Sequence, residues 1–568
     1  MDNIVYIVFR RMRAPLLALV ITYSLAMLGL VLVPGQDPQG NIWHLDFFHA
    51  FYFVSFMATT VGFGEIPYEF TDAQRLWATF SIYATVVAWV YSIGAVIALL
   101  QNQTFLRALR EDVFATRVKR LRDPFYLVCG YGDTGSELVE SLTERDKHVV
   151  VVEIDQDRVS GLKLENLRQY VPAISGDAGR PQILLDAGLR HSKCTSVVAV
   201  TDKNEINLKV AITSKLLRED ITVICRADSL EVEANMASFG TDYIIDPFDT
   251  FANLLAIALQ APCMYLLHEW LSGMSDELLQ EPIYPPSDGF WILCGYGRFG
   301  KAVYKYLKQQ GIKTVIIEAY PDTTGSPPEG CVIGWGTEAV TLQKANIEKA
   351  VGLVAGTHDD TNNLSVIMSA RELNPDLFIV ARQNLRENQA LFDAAEASLV
   401  MYPARIIADK IRVLLGTPLH NEFEQLARSK DDEWACELVS RIVAVSTKEV
   451  PEVWEIALNR QDTHAVCIAI SGGFDVTVDH LITDPRERSH RLPCVALLLK
   501  RENSTILVPG ADTRLRENDH LLFCGQPQAA DRMDWTLQNE HALSYVLTGE
   551  APPQGWVWKF FKGSTKEN

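Results

Sequence analysis

Two long runs without a charged residue, residues 14–33 and 76–100, constrain the fold of this chain most strongly. As a helix, each run is long enough to cross the roughly 30 Å hydrocarbon core of a bilayer. A signal peptide explains the pattern poorly, because the first run exceeds the usual length of an apolar signal core and a second, longer run follows it. We therefore expect two membrane spans at these positions.

The basic residues predict how the two spans lie in the membrane. Arginines precede the first span and follow the second, whereas the connection at residues 34–75 holds one arginine and five acidic residues. Because Lys and Arg are retained on the cytoplasmic side, we expect a multi-pass protein of the inner (plasma) membrane whose N and C termini are both cytoplasmic.

The ten cysteines all follow the second span. None of them has CxxC spacing, so the sequence predicts neither a zinc site nor a disulfide framework. We interpret them as small core residues of domains in the reducing cytosol.

The connection between the spans contains a shorter apolar stretch, residues 47–58, which predicts a helix that enters the membrane only part of the way. The sequence TTVGFG, residues 59–64, follows it. Irregular backbone persists at that depth only where protein surrounds it or where it lines a water-filled path. Glycine at alternate positions allows the backbone to point closely stacked carbonyl groups at one axis.

This segment, with the short helix before it and a span on either side, resembles the selectivity filter of potassium channels, in which four TVGYG loops coordinate the ion. Phe63 stands where tyrosine is commoner in that family, and Glu65 stands where aspartate is commoner. The resemblance implies a homotetramer in which potassium ions bind backbone carbonyl groups. The residues concerned are Thr60, Val61, Gly62, Phe63 and Gly64.

The spans themselves give one candidate for gating. Neither span contains arginines at three-residue spacing, so no voltage sensor is predicted. Gly94 lies inside the second span, where glycine weakens a helix by roughly 1 kcal/mol relative to alanine. It is a candidate hinge of the inner, pore-lining helix, and close helix packing is the alternative explanation.

A glycine-rich turn with the same surroundings occurs twice after the second span. In each copy an apolar strand leads into a G-x-G-x-x-G turn, a helix follows, and the next apolar strand ends in an acidic residue. This order is the dinucleotide-binding fingerprint. The residues are Gly130, Gly132, Gly135 and Glu153 in the first copy and Gly295, Gly297, Gly300 and Glu318 in the second.

Further matched residues extend the repeat, including Arg226 with Arg382 and Pro247 with Pro403. They indicate a duplicated domain with loop deletions. Alternating strands and helices predict a doubly wound parallel sheet in each copy, with a ligand crevice at the carboxyl ends of the strands. The apolar helices at residues 247–262 and 403–418 are expected to make contacts between the copies.

Both copies resemble RCK domains (regulator of potassium conductance), which are related to TrkA, the nucleotide-binding subunit of bacterial potassium uptake systems. In that family eight RCK domains form a cytoplasmic gating ring, which implies two domains from each of four subunits here. Residues 441–450 and 504–525 contain short apolar stretches that are interpreted as strands of the small C-terminal lobe of such proteins.

The expected fold is an all-α membrane pore domain with two spans, two tandem Rossmann-like α/β domains of the RCK type, and a small α+β lobe. The expected boundaries are residues 1–100 for the pore domain, 101–122 for a linker, 123–285 for the first RCK domain, 286–430 for the second, 431–535 for the C-terminal lobe and 536–568 for a tail.

The turns are predicted to bind a nucleotide, because backbone N–H groups at a helix N-terminus attract phosphate. Glu153 and Glu318 are placed to bind a ribose 2′-hydroxyl, which favours NAD, NADH, ADP or ATP over NADP. Asp133 in the first turn would oppose a phosphate, and Arg298 in the second would attract one. The second turn is therefore the better candidate, and a scaffold without a ligand is the alternative for both.

Several other polar residues are candidates for ligand binding. Arg180, just beyond Asp177, could offset Asp133 in the first copy, and Arg382 could reach a phosphate in the second. The acidic clusters Asp431-Asp432-Glu433 and Asp359-Asp360 could bind a divalent cation, although such clusters are usually solvated surface. Calcium is a further candidate effector, because the family that the chain resembles includes calcium-gated members.

The sequence thus predicts a homotetrameric, ligand-gated, potassium-selective channel in a lipid bilayer, with a nucleotide as regulatory ligand. One alternative is a potassium uptake subunit, which usually needs several pore repeats in one chain. The other is a membrane-anchored, nucleotide-dependent oxidoreductase. No Ser-His-Asp or Cys-His grouping can be assembled from the sequence, so no catalytic residue is predicted, and no nucleic-acid partner is expected.

Overall fold

A computed structural model describes residues 2–62, 67–273, 278–325, 331–502 and 504–550 of the chain. The chain divides into two compact units, one formed mainly by residues 1–121 and the other by most of the remaining chain.

The first unit is mainly helical. Its elements are α1 (Asp2–Leu32), β1 (Gly35–Gln36), β2 (Ile42–Trp43), α2 (Phe47–Ala58), α3 (Asp72–Leu100) and α4 (Gln103–Lys119), and β1 pairs with β2 in antiparallel orientation. Both α3 and the part of α1 from Val8 onward are long and apolar enough to cross a membrane. The two apolar helices expected from the sequence are therefore present.

Local sequence accounts for where these helices begin. Asp46 caps α2 by accepting a hydrogen bond from the backbone N–H of His49, and Thr71 forms a capping box with Gln74 at the start of α3. Along α1 and α3 many large apolar side chains are exposed, which suits contact with lipid hydrocarbon.

A small core holds α1, α2 and α3 together. The side chain of Trp77 in α3 donates a hydrogen bond to the backbone oxygen of Ala26 in α1 (3.1 Å). Its indole ring lies so close to Gly29 that a Cβ atom at that position would collide with it. Buried Leu30 and Val54 belong to the same apolar cluster. The short helix α2 is therefore fixed against both long helices.

The second unit begins with an α/β fold. Its elements are β3 (Phe125–Cys129), α5 (Asp133–Glu144), β4 (His148–Glu153), α6 (Gln156–Leu162), β5 (Ala173–Ser175), α7 (Pro181–Asp186), β6 (Cys194–Ala199), α8 (Asn204–Leu217), β7 (Thr222–Arg226), α9 (Leu230–Ser238), β8 (Tyr243–Ile245), α10 (Pro247–Gln260) and α11 (Pro262–Ser272). The strands form a parallel sheet in the order β5-β4-β3-β6-β7-β8.

The same arrangement follows a second time. Its elements are β9 (Phe290–Cys294), α12 (Arg298–Gln309), β10 (Lys313–Glu318), α13 (Pro321–Thr324), β11 (Val332–Ile333), α14 (Ala339–Lys344), a 3₁₀ helix (Ile347–Lys349), β12 (Gly352–Ala355), α15 (Asp360–Leu373), β13 (Phe378–Arg382), a 3₁₀ helix (Arg386–Asn388), α16 (Gln389–Ala394), β14 (Leu399–Met401), α17 (Pro403–Gly416) and α18 (Pro418–Ala427). The sheet order β11-β10-β9-β12-β13-β14 is equivalent to that of the first copy. Both orders are typical of the dinucleotide-binding fold, so the predicted fold class is confirmed.

Matching hydrogen bonds confirm the duplication. The buried side chain of Asn207 bonds to both the backbone N–H and the backbone oxygen of Thr201 and to the last backbone oxygen of β7. Asn363 makes the same three contacts with Thr357 and with the end of β13. In each copy one buried amide therefore fixes the loop that follows the fourth strand in chain order.

The two copies exchange helices. Ile407 and Ile411 of α17, which belongs to the second copy, are buried in the core of the first copy against α5. Phe248 and Phe251 of α10, which belongs to the first copy, are buried in the core of the second copy against α12. The predicted contacts between the copies through these helices are confirmed.

The chain continues into an α+β lobe. Its elements are α19 (Asp432–Val445), β15 (Glu452–Ala457), α20 (His464–Ser471), α21 (Val478–Ile482), β16 (Cys494–Arg501), β17 (Ser504–Leu507), β18 (His520–Gly525), α22 (Pro527–Gln538) and α23 (Glu540–Thr548). The sheet order is β15-β18-β16-β17 and all its pairs are antiparallel.

The lobe differs from expectation in two places. Residues 441–445 were expected to form a strand but are the end of the helix α19. A short apolar run has the same composition in a buried helix as in a strand, so composition could not separate the two. The expected tail from residue 536 begins inside α22, and buried Leu543 and Val546 of α23 pack into the lobe. Residues 551–568 lie outside the described part of the chain.

One pair of cysteines corrects the prediction that all are free. Cys263 of α11 and Cys436 of α19 form a disulfide, with their Cα atoms 5.1 Å apart. The two residues are 173 positions apart in sequence, and the packing of α11 against α19 brings them together. Local spacing carries no sign of such a pair.

Candidate functional site

The segment after α2 turns back against the end of that helix. The backbone N–H groups of Val61 and Gly62 donate hydrogen bonds to the backbone oxygen of Phe56 (3.0 and 3.4 Å). Thr60 and Gly62 have left-handed backbone with φ of 63° and 68°. Glycine reaches left-handed backbone without a steric penalty, which accounts for the residue type at position 62. Two residues of the predicted ion path, Phe63 and Gly64, lie outside the described residues, as does Glu65, which follows them.

Gly94 lies within α3, which is helical from Asp72 to Leu100. A Cβ atom at Gly94 would meet nothing within 4 Å. Close packing within the chain therefore does not require glycine here, and the hinge at Gly94 stays a prediction.

Each of the three positions in the second turn has its own physical reason to be glycine. Gly295 has left-handed backbone with φ of 99°. Gly300 lies in the first turn of α12, where a Cβ atom would collide with the backbone oxygen of Gly295. A Cβ atom at Gly297 would meet nothing within 4 Å, so that position leaves room in front of the helix N-terminus. The first turn repeats the first two features at Gly130 and Gly135.

The acidic residue of each fingerprint holds the glycine turn in place. Glu318 is buried, and its carboxylate accepts hydrogen bonds from the backbone N–H groups of Tyr296 (2.6 Å) and Tyr320 (2.9 Å). Glu153 makes the equivalent bonds in the first copy with Tyr131 and Asp155. Because an ionised carboxylate has about four acceptor positions, each still has capacity for a ligand hydroxyl.

A cavity of about 560 Å³ opens at the carboxyl ends of the strands in the second sheet. Its volume lies within the usual range for small-molecule sites. The structure brings together five of the residues predicted for ligand binding in its wall: Gly295, Gly297, Arg298, Glu318 and Arg382.

Two aromatic side chains of the cavity wall were missed by the sequence analysis. Tyr320 follows the acidic strand end, and Trp335 follows β11. Their rings pack edge to face with centroids 5.5 Å apart, and both side chains are well exposed. The only sequence signal was an aromatic residue close to the carboxyl end of each of two neighbouring strands.

Arg298 is present at the second turn as expected, but its charge is already paired. Its guanidinium forms an ion pair with Asp228, which follows β7 in the first copy. Burial would raise the pKa of Asp228, but hydrogen bonds from Asn204 and Arg298 hold that pKa below its ordinary value. Because Asp228 comes from the other copy, the fingerprint alone gives no indication of it.

Arg382 adds a second positive charge to the cavity wall. Its guanidinium lies over the ring of Phe248, 4.8 Å from the ring centroid, and its buried Nε has no hydrogen-bond partner. Burial, with the nearby charge of Arg298, lowers the pKa of Arg382 to about 10. Arg298 and Arg382 thus place two guanidinium groups in the cavity wall, which also contains the carboxylates of Glu318 and Asp359.

The first turn has different charged neighbours. The guanidinium of Arg158 lies where a side chain on Gly132 would contact it, at 2.9 Å from the position of a Cβ atom. Burial raises the pKa of Asp133, and Arg158 acts against that rise. The side chain of Asp177 instead accepts a hydrogen bond from the backbone of Gly179 (2.8 Å), and Arg180 is exposed. Arg158, which sequence reasoning missed, is therefore a basic residue beside this turn.

The acidic clusters considered for calcium serve largely as helix caps. Asp359 accepts a hydrogen bond from the backbone N–H of Asn362 (2.8 Å), and Asp431 accepts one from Trp434 (3.0 Å). Asp360 is buried, and its carboxylate accepts hydrogen bonds from the loop after β13. Capping and loop bonding account for these three carboxylates without a cation.

A second polar cluster joins α11, α17 and α18 beside a cavity of about 330 Å³. The buried carboxylate of Glu424 in α18 pairs with His268 of α11 (2.9 Å) and with Lys410 of α17 (3.2 Å). Burial alone would lower the pKa of His268, but Glu424 raises it above its ordinary value. Burial lowers the pKa of His420, which also faces Glu424, to about 4.

Comparison with protein families divides the chain in the same way. Residues 16–102 match the family described as ion channel. Residues 126–247 and 291–403 each match the family described as TrkA-N domain.

Two curated relatives are potassium channels. The chain is 28% identical over 202 residues to "Potassium channel protein 1" of Methanocaldococcus jannaschii, covering 34% of this chain and 58% of the relative. It is 24% identical over 182 residues to "Voltage-gated potassium channel Kch" of Escherichia coli, covering 32% of this chain and 42% of the relative. The matches thus span less than two thirds of either relative.

A solved structure, "GsuK Channel", aligns with 94% of this chain and 99% of its own chain. The sequence identity is 16% and the TM-score is 0.48.

The His268 pair predicts a defined pH dependence of stability. The pKa of His268 in the folded chain lies above its ordinary value of 6.5. The charged histidine therefore contributes fully to the free energy of unfolding below the ordinary pKa, and this contribution is lost as pH rises through the folded pKa. We expect His268→Gln to lower the melting temperature of the full chain most at acidic pH, with the difference from wild type shrinking as pH rises. The exposed His541→Gln is the control, and a deficit for His268→Gln that does not change with pH would contradict the assignment.

Proposed function

We infer from its homology to archaeal and bacterial potassium channels, and from its ion channel and TrkA-N domains, that this chain forms a potassium-selective pore regulated by a bound nucleotide. The observation that carries the proposal is a filter-like segment between two apolar helices, in the same chain as a cavity that is built on a glycine-rich turn and has two arginines in its wall.

The proposed ion path is built from backbone carbonyl groups after α2. One chain supplies one such segment, so a closed path needs several copies, and we propose four. The left-handed backbone at Thr60 and Gly62 supports this assignment. The fixed position of α2 against α1 and α3 would hold the segment at the axis of the tetramer.

The proposed orientation places both termini in the cytoplasm and the pore in the plasma membrane. It rests on the arginines that flank the apolar helices, because basic residues are retained on the cytoplasmic side. The TrkA-N domains of four chains would then form an eight-domain cytoplasmic ring. Along the chain α4 connects α3 to the first of these domains, so a movement of the ring would reach the proposed hinge at Gly94 through α4.

The proposed ligand of the second turn is a nucleotide with a diphosphate, of the class that includes NAD, NADH, ADP and ATP. Its phosphates would face the N-terminus of α12 at Gly297, where a helix dipole and free N–H groups favour negative charge. Glu318 would accept a hydrogen bond from a ribose hydroxyl, and its charge disfavours the 2′-phosphate of NADP. Tyr320 and Trp335 offer aromatic surface to a base.

Regulation is proposed to act through the ion pair between Arg298 and Asp228. A diphosphate at the second turn would compete with Asp228 for the guanidinium of Arg298. Because Asp228 belongs to the first copy, this competition changes the contact between the two copies. A ligand shifts a conformational equilibrium only by binding one state more tightly than another, and this exchange of partners supplies such a difference.

The first turn is a weaker proposal, and calcium remains a prediction without a located site. Asp133 still places a carboxylate at the first turn, although Arg158 offsets it. At the second turn, by contrast, a phosphate could replace Asp228 as the partner of Arg298. The second turn is therefore the one to test first.

Ion flux tests the pore and separates it from an uptake subunit or an oxidoreductase. We expect the purified chain in liposomes to carry potassium in preference to sodium. Gly62→Ala should reduce this preference, because it places a side chain on left-handed backbone in the filter segment. Gly40→Ala is the matched control, since it has the same left-handed backbone and equally open surroundings outside the segment. Flux without preference for potassium over sodium would contradict the proposal.

Nucleotide regulation is tested by Gly297→Asp. The added carboxylate meets no atom of the protein within 4 Å at its Cβ, but it would lie where the phosphates bind. Because like charges placed together cost several kcal/mol, we expect the affinity for ADP or NAD to fall at least about tenfold and the effect of nucleotide on open probability to disappear. Gly416→Asp, also in open space, should retain both. An unchanged dose dependence in Gly297→Asp would remove the second turn from the mechanism.

A further inference from the structure

We propose that Cys263, Asp432 and Cys436 form a binding site for a divalent cation of borderline softness, such as zinc, when the two cysteines are reduced. This site is separate from the glycine-rich turns and from the ion path, and it does not depend on the proposed function.

The three side chains converge from two helices. Cys263 lies at the start of α11, and Asp432 and Cys436 lie one turn apart on α19. The two sulfur atoms and one carboxylate oxygen, which are the atoms that could bind a metal, all lie within 4.8 Å of one another. All three residues are partly exposed, so an ion from solvent can reach them.

Asp432 is already oriented toward this cluster. One of its carboxylate oxygens accepts a hydrogen bond from the backbone N–H of Met264 (3.1 Å), the residue that follows Cys263. The bond fixes the carboxylate beside the sulfur atoms. The acidic cluster noted in the sequence therefore contributes one residue to a mixed sulfur and oxygen site rather than an all-oxygen site.

The oxidation state decides whether the site exists. In the structure Cys263 and Cys436 are joined, whereas the sequence places both in the cytosol, where thiols are usually kept reduced. A small dithiol reduces the protein disulfide by exchange, giving two protein thiols and the oxidised cyclic form of the reagent. A cation then binds the two sulfurs as thiolates, and two protons are released.

The donor set selects the class of cation. Two thiolates and one carboxylate suit zinc and other metals with affinity for sulfur, with water as a fourth ligand, whereas calcium and magnesium prefer oxygen ligands alone. Zinc–sulfur bonds of about 2.3 Å place two thiolates within about 4 Å of each other. The Cα atoms of the pair are 5.1 Å apart, which is compatible with that separation.

The position of the site gives it a structural consequence. The helices α11 and α19 share one apolar cluster, which includes Leu267, Leu438 and Ile442. A metal ion at this cluster would link α11 to α19, which is the first helix of the C-terminal lobe. The disulfide and the metal are thus two alternative links at one place.

Cobalt binding to the full-length chain tests the site. The protein is reduced with a dithiol under anaerobic conditions, desalted and titrated with Co²⁺. We expect one cobalt per chain, with the near-ultraviolet charge-transfer absorption and visible bands of thiolate coordination, and no such absorption before reduction. Cys263→Ser and Cys436→Ser should abolish these bands. Asp432→Asn should weaken binding at least as much as the 10–100-fold loss typical of removing a supporting residue.

The matched control is Cys331→Ser, which removes a partly exposed free cysteine and should leave the cobalt spectrum unchanged. Alkylation of the reduced wild type gives an answer even if a cysteine variant fails to fold. Bound zinc should protect Cys263 and Cys436 from iodoacetamide but leave the labelling of Cys331 unchanged. A reduced wild type without thiolate bands, bands retained after loss of both cysteines, or equal labelling with and without zinc would each overturn the proposal.

Discussion

The exchange of α10 and α17 between the two α/β copies is the contact on which the structure of the second unit depends. Each helix buries its apolar side chains against the helix that follows the other copy's glycine turn, as Ile411 and Phe251 illustrate. Two ion pairs also join the copies, one from Arg298 at the start of α12 to Asp228 after β7, and one from Arg386 to Glu137 in α5. The helices that follow both glycine turns therefore take part in contacts between the copies.

Much of this architecture was predictable because its causes are local. Length and lack of charge mark the two apolar helices, and the strand order follows from the glycine turns and the alternation of strands with helices. The glycines were correctly placed at tight turns because their reasons lie within a few residues. Gly300, for example, packs against the backbone of Gly295 in the same turn.

Most of the features that the sequence did not reveal involve residues that are distant from each other along the chain. Arg298 was read from its own turn as a free phosphate ligand, but Asp228 of the other copy pairs with it. The disulfide between Cys263 and Cys436 joins helices from different parts of the chain. Residues 441–445 are helical because of their place in α19, which a short apolar run does not indicate. Tertiary packing decides the first two of these features, and a single sequence carries no periodic signal of it.

The most direct test of this account is the affinity of the full-length chain for ADP after Asp228→Asn, measured by titration calorimetry. The loss of the competing carboxylate frees Arg298 for a phosphate. Since a partly exposed ion pair is worth up to roughly 1 kcal/mol, we expect binding to tighten by up to about fivefold. Asp202→Asn, which removes the partner of Arg226 in the first copy, should leave this affinity unchanged. Equal or weaker binding by Asp228→Asn would contradict the account.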